Sequence, residues 1–178
     1  MTGAREWRIA LLVAVALCVI GLDRLTKWLA VRDLANHPVN LIGPVGFRLQ
    51  YNSGIAFSIG SGLTLPIVLV AVVLVVAVAW FGRRVPTPSA AVAVGLVLGG
   101  AVGNLLDRVF GGHHGSVVDF VYTRYWPTFN VADASIVCGA ALLAWLLLRA
   151  RPERGAQIGS ERTDAGSLSG ERTLDRDG

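Results

Sequence analysis

Four long apolar stretches divide the chain, and most polar residues fall between them or after the last. The first is unbroken over residues 9–22, short of the roughly 20 residues a helix needs to cross a bilayer. A helix over 7–28 reaches that length and sets Trp7 and Trp28 at the two membrane boundaries. Arg5 and Arg8 ahead of the run also fit a signal peptide. No small-x-small cleavage site follows promptly, because the chain continues Asp23-Arg24-Leu25-Thr26-Lys27-Trp28, so a retained helix is expected. The second stretch, 62–81, has no charge and ends at Trp80 and Phe81, with Arg83 and Arg84 beyond. The third opens after Val85-Pro86-Thr87-Pro88 and carries Gly95, Gly99 and Gly103 on one face, a spacing that lets another helix approach closely. The fourth ends at Arg149. The pattern predicts an all-α membrane protein with four transmembrane helices at about 7–28, 62–81, 89–109 and 131–149.

Two connections are more than simple loops. In residues 39–60, Phe47, Leu49 and Tyr51 alternate with Arg48, Gln50 and Asn52, and Ile55, Phe57 and Ile59 alternate again. With Asn52-Ser53-Gly54 as a turn, this predicts a small antiparallel sheet on the membrane surface between the first two helices. Residues 111–129 hold two histidines, Asp119, Arg124 and several aromatics, too polar to span and too aromatic for a free linker. Residues 152–178 have no aromatic and few aliphatics, so a disordered tail is expected after a folded domain at 1–151.

Composition sharpens the membrane reading. The chain is 53% hydrophobic and 16% charged, with mean hydropathy +0.58, outside the range of ordinary soluble domains. Its net charge of +4 could suggest nucleic acid, but the cations flank apolar runs, where membrane orientation accounts for them. Four spans put both termini on one side with Arg5, Arg8, Arg83, Arg84, Arg149, Arg151 and Arg154, and these clusters favour the cytoplasm. Arg24, Lys27, Arg32, Arg48, Arg108 and Arg124 fall on the other side, so clustering rather than number carries the orientation. Cys18 and Cys138 lie within apolar runs and make neither a metal spacing nor a disulfide framework.

Under this topology the embedded polar groups segregate. Asp23 and Lys27 close the first helix, Asn104, Asp107 and Arg108 close the third, and Asn130 and Asp133 open the fourth. Asn52 and Asp119 lie in the connections between those ends. One polar site at one membrane boundary explains this placement. Asp119 and Asp133 are the candidate catalytic residues. Two carboxylates in a low-dielectric site cannot both ionise easily, and a pair sharing one proton can activate water and polarise a carbonyl. Structural roles stand beside these. Asp133 also fits an acid at a helix N-terminus, and Asp119 a loop acid paired with Arg124 or Arg108. Asp107 is expected in an ion pair with Arg108 or Arg124. Asn104 and Arg108 are read as a shelf that orients the acid pair and holds substrate backbone, Asn130 as an N-cap compatible with substrate contact, Asn52 as a turn former, and Asp23–Lys27 as an i,i+4 pair. His113 and His114 have no metal-binding companions at suitable spacing, and no Ser or Cys has a convincing His partner. An ion-coupled transporter and a helix-binding scaffold compete with the peptidase reading. All the acids of the spans lie at one face, which leaves no relay across the bilayer, and a scaffold needs no acid pair.

Five motifs in order carry a resemblance: Asp23-Arg24-Leu25-Thr26-Lys27, Tyr51-Asn52-Ser53-Gly54-Ile55-Ala56-Phe57, Gly103-Asn104-Leu105-Leu106-Asp107-Arg108, Val117-Val118-Asp119-Phe120 and Phe129-Asn130-Val131-Ala132-Asp133. Over residues 8–150 the chain resembles the bacterial lipoprotein signal peptidases, or signal peptidase II. The resemblance implies a multi-pass inner-membrane aspartic endopeptidase with a β-cradle on the periplasmic side. It implies cleavage of diacylglyceryl-modified prolipoproteins before the lipidated cysteine, inhibition by globomycin, and no metal or other cofactor. Asp119 and Asp133 match the catalytic pair. Asn52, Asn104, Arg108 and Asn130 match polar site residues, and Asp23 and Lys27 match the first motif. The expected partners are prolipoproteins and membrane lipids, without nucleic acid, and the chain is expected to act as a monomer. Arg24 stands where the family often has Gln.

Overall fold

The computed structural model describes residues 3–54, 64–82 and 84–149. Four helices of membrane-spanning length and apolarity are present among them: α1 (Gly3–Asp33), α2 (Thr64–Gly82), α3 (Pro88–Phe110) and α4 (Val131–Arg149). Between them lie strands β1 (Val39–Asn40), β2 (Val45–Asn52), β3 (Val117–Thr123) and β4 (Trp126–Phe129). The C-terminal segment assigned above to a disordered tail lies outside the described residues.

Small residues set the helix packing. A Cβ on Gly95 would lie 2.8 Å from Leu12 O, and one on Gly99 would lie 2.8 Å from Ala16 O. These matched steps of four run α1 and α3 parallel at close range, as the glycine spacing requires. Gly139 of α4 faces Ala93 O, and Gly100 faces Ala132 and Ile136, so α4 runs antiparallel to α3. Thr87 caps α3 by accepting from Ala90 N at 3.2 Å, and Pro88 follows at the first helical position, where its missing N–H costs nothing. α2 is exposed along most of its length, as suits a helix facing lipid.

The four strands form one antiparallel sheet in the order β1-β2-β3-β4. The sheet therefore does not belong to the first connection alone, because its second half comes from the segment between α3 and α4. β2 pairs with β3 through Asn52↔Val117, Tyr51↔Val118 and Gln50↔Asp119. The expected second run of alternation at Ile55, Phe57 and Ile59 lies outside the described residues. This register puts Gln50, Asn52 and Asp119 on one face of the sheet and Tyr51 and Val118 on the other. The Asn52 end of the sheet meets the C-terminal ends of α1 and α3 and the start of α4, where the buried polar residues gather.

Candidate active site

α4 begins with a reciprocal cap. Asn130 Oδ1 accepts from Asp133 N at 2.9 Å, and Asp133 Oδ2 accepts from Asn130 N at 3.2 Å. Capping leaves the Asn130 amide nitrogen free to turn outward from the helix. Its Nδ2 donates to Asp119 Oδ1 at 2.7 Å and also reaches Val118 O at 3.3 Å and Asn104 Oδ1 at 3.2 Å. Asn130 therefore ties the carboxylate at the head of α4 to the one on β3. The next orphan amide of the helix, Ala132 N, donates to Asp23 Oδ1 of α1 at 3.0 Å, which places an anion at the positive end of the helix dipole.

Each of the four oxygens of Asp119 and Asp133 accepts one hydrogen bond from a neutral donor. Asp119 Oδ2 accepts from Asn52 Nδ2 at 3.1 Å, and Asp133 Oδ1 accepts from Asn104 Nδ2 at 2.8 Å. The remaining two are the Asn130 contacts. Among the described residues neither carboxylate is in an ion pair. Asp119 is almost fully buried, and burial lifts its carboxyl to about 6. The negative charge of Asp133 pushes the same way, while the Asn52 and Asn130 donors and the positive charge of Lys27 oppose it.

The neighbouring acids are bound differently. Lys27 Nζ lies 2.8 Å from Asp23 Oδ2 and 2.8 Å from Asp107 Oδ2, and it donates to Asn104 Oδ1 at 3.0 Å. The Asp23–Lys27 pair is buried between helices rather than lying on a helix surface. Asp107 pairs with Lys27 and with Arg24, whose Nη1 is 2.5 Å away, instead of the expected Arg108 or Arg124. Asp107 Oδ2 also accepts from Val118 N, one residue before Asp119.

Lys27 has a directional effect. An ammonium can only donate, so it fixes Asn104 with Oδ1 toward itself and Nδ2 toward Asp133. Asn130 Nδ2 then also faces Asn104 Oδ1, which leaves Asn130 Oδ1 for the cap. The orientation of both amides follows from one buried cation.

Arg108 is not bonded to either carboxylate. Its Nη1 donates to Gly115 O at 3.0 Å and its Nη2 to Gly54 O, so it holds the two loops that border the site. Asn52 both makes its turn, accepting from Gly54 N at 3.0 Å, and reaches Asp119. All eight residues singled out from the sequence thus meet at one end of the bundle. The His113 ring lies against Tyr51, tilted, with centroids 4.3 Å apart, on the sheet face away from Asp119. The sequence reading missed Arg24 as a partner of Asp107, and the Thr128–Gln50 hydrogen bond of 2.7 Å that links β4 to β2. A cation one turn before Lys27 on the same helix was the available signal for Arg24; Thr128 offered none.

Comparison with known proteins places this arrangement. The family described as Signal peptidase (SPase) II matches residues 15–149. The lipoprotein signal peptidase of Mycolicibacterium smegmatis is 45% identical over 172 residues, covering 89% of this chain and 73% of that protein. The lipoprotein signal peptidase of Mycobacterium avium is 49% identical over 144 residues, covering 78% of this chain and 79% of its own. Among solved structures, a bacterial membrane enzyme determined by the in meso method superposes with a TM-score of 0.72 at 26% identity, covering 82% of this chain and 92% of the other.

Proposed function

The chain belongs to the signal peptidase II family, and from that premise we propose that it is an aspartic endopeptidase that removes the signal peptide from diacylglyceryl-modified prolipoproteins. The observation that carries the mechanism is the pair Asp119–Asp133. Two carboxylates are joined through Asn130 and Asn104 and are contacted only by neutral donors among the described residues, and burial of Asp119 lifts its carboxyl to about 6, where it can retain a proton.

In this mechanism the ionised carboxylate takes a proton from water as the water oxygen attacks the scissile carbonyl. The protonated partner hydrogen-bonds the carbonyl oxygen as it gains negative charge. The C–N bond then breaks, and the leaving amine of the lipidated cysteine receives a proton from the pair. Asn52, Asn104 and Asn130 hold the carboxylate oxygens still through this exchange, and Arg108 holds the loops that flank the substrate backbone. The proton belongs to the pair rather than to one residue.

A substrate anchored by its acyl chains keeps the bond before its cysteine at the membrane boundary. A site built between α1, α3 and the start of α4 at one membrane boundary meets that bond without moving it into water. The arginine clusters at the opposite helix ends support termini in the cytoplasm and a site at the outer face of the inner membrane.

The test is cleavage of a diacylglyceryl-modified prolipoprotein by the purified protein in detergent, beside Asp119→Asn and Asp133→Asn. Product cut before the lipidated cysteine, absent with either variant and unaffected by a chelator, is the expected result. Full activity in either folded variant would overturn the mechanism.

A further inference from the structure

Two turns close the sheet at the end away from the carboxylates. Residues 41–44 join β1 to β2, and Arg124 and Tyr125 join β3 to β4. The turns touch, because Arg124 N donates to Pro44 O at 2.9 Å and Val45 is paired with Thr123. Four large apolar side chains lie exposed at this end: Ile42 is 86% exposed, Tyr125 82%, Trp126 62% and Leu41 52%. Val39 and Val45 extend the same exposed edge. A contiguous apolar patch of this kind marks a surface that something covers.

Charge identifies the cover. Residues 34–54 and 120–130 contain no Asp or Glu, while they hold Arg48, Arg124 and His37. Arg48 lies over the Tyr122 ring at 3.8 Å, and Arg124 is exposed at the turn itself. Aliphatic and aromatic side chains interleaved with arginine, without acids, suit the headgroup layer of a bilayer, where rings and apolar tips sink below anionic phosphates. The site end of the bundle already lies at that layer, and the seven steps from Asn52 to Val45 span about 23 Å along the strand. That length is enough to bridge from the helix ends to a second point on the same leaflet.

We propose that this far end of the sheet is a membrane anchor, inserted through Leu41, Ile42, Tyr125 and Trp126 into the leaflet at the site end and held there by Arg48 and Arg124 on anionic lipid phosphates. The sheet is then fixed at both ends, by α1, α3 and α4 at one and by lipid at the other. Asn52 and Asp119 keep a constant height over the bilayer while substrate enters. This inference rests on the four spans and the exposed tip, and stands whether or not the carboxylates are catalytic.

The experiment places a reporter at the tip. With Cys18 and Cys138 replaced by serine, Ile42→Cys carries an environment-sensitive fluorophore, and the full chain is reconstituted in nanodiscs of phosphatidylcholine with or without phosphatidylglycerol. Quenching by nitroxides on shallow acyl positions, with shielding from aqueous iodide that deepens when phosphatidylglycerol is present, is expected. Arg124→Gln with Arg48→Gln should remove the phosphatidylglycerol dependence and leave a shallower insertion. Iodide access equal to that in detergent-free buffer-exposed controls, or shielding that needs two copies per disc and comes with Ile42–Ile42 cross-links, would overturn the anchor. Shielding without any response to phosphatidylglycerol would overturn the role of the two arginines.

Discussion

Asp23 and Asp107 lie in the same polar layer as Asp119 and Asp133, yet the two pairs are stabilised in opposite ways. Asp23 and Asp107 share Lys27, and Asp107 takes Arg24 as well. Among the described residues, Asp119 and Asp133 receive only amide N–H groups, from the side chains of Asn52, Asn104 and Asn130 and the backbone of Asn130. The first arrangement cancels charge and suits a fixed scaffold. The second binds a carboxylate without cancelling its charge, as the proposed exchange of a proton requires. The site separates these roles within one hydrogen-bonded network, and Asn104 is the joint, accepting from Lys27 and donating to Asp133.

The largest effect should come from removing the exchangeable proton. Asp119→Asn and Asp133→Asn keep size and most hydrogen bonds, so the fold should persist while kcat/KM falls by at least about a thousandfold. Thermal unfolding in detergent, run beside the cleavage assay, separates lost chemistry from lost structure.

Breaking the other pair should do the reverse and strike the fold first. Lys27→Met leaves Asp23 and Asp107 buried without their shared cation, a loss of about 3–5 kcal/mol. Adding Asp23→Asn to that variant should restore part of the stability but not the orientation of Asn104, so activity should stay low. Gly103→Ala should act through the same place more mildly. Its Cβ would lie 2.7 Å from Asp23 Oδ2, and the shift needed to fit it costs about 1–3 kcal/mol. Apparent stability in detergent measures both.

The same contrast explains what the sequence made legible. The helices announce themselves as apolar runs, and Gly95, Gly99 and Gly103 mark the α1–α3 seam because close packing needs small residues at steps of four. The eight candidate site residues were visible because polar side chains in membrane segments are rare. The Asp23–Lys27 pair was legible from its i,i+4 spacing, but the cations that meet Asp107 were not. Asp107 has Arg108 beside it in sequence, but adjacent helix residues point apart, and Arg24 and Lys27 of α1 reach it instead. β3 was hidden for a different reason. Val117, Val118, Asp119 and Phe120 are all buried, so the strand does not alternate, and a strand covered on both faces has no period of two to read.

The smallest effect, and the sharpest probe of the uncancelled pair, is the Asn52→Ala change. Asn52 donates to Asp119 Oδ2, so it favours the charged form and opposes the rise caused by burial and by Asp133. Without that donor Asp119 should hold its proton more tightly, above the present value of about 6. Activity that needs one shared proton is lost as pH rises through that value, so the alkaline limb of the kcat/KM profile should move to higher pH in the variant. The sign is opposite to that of an added cation. Asn52→Lys would favour the ionised carboxylate and move the same limb to lower pH. A limb that stays fixed in both variants would mean that the proton governing activity is not held by Asp119 and its partner.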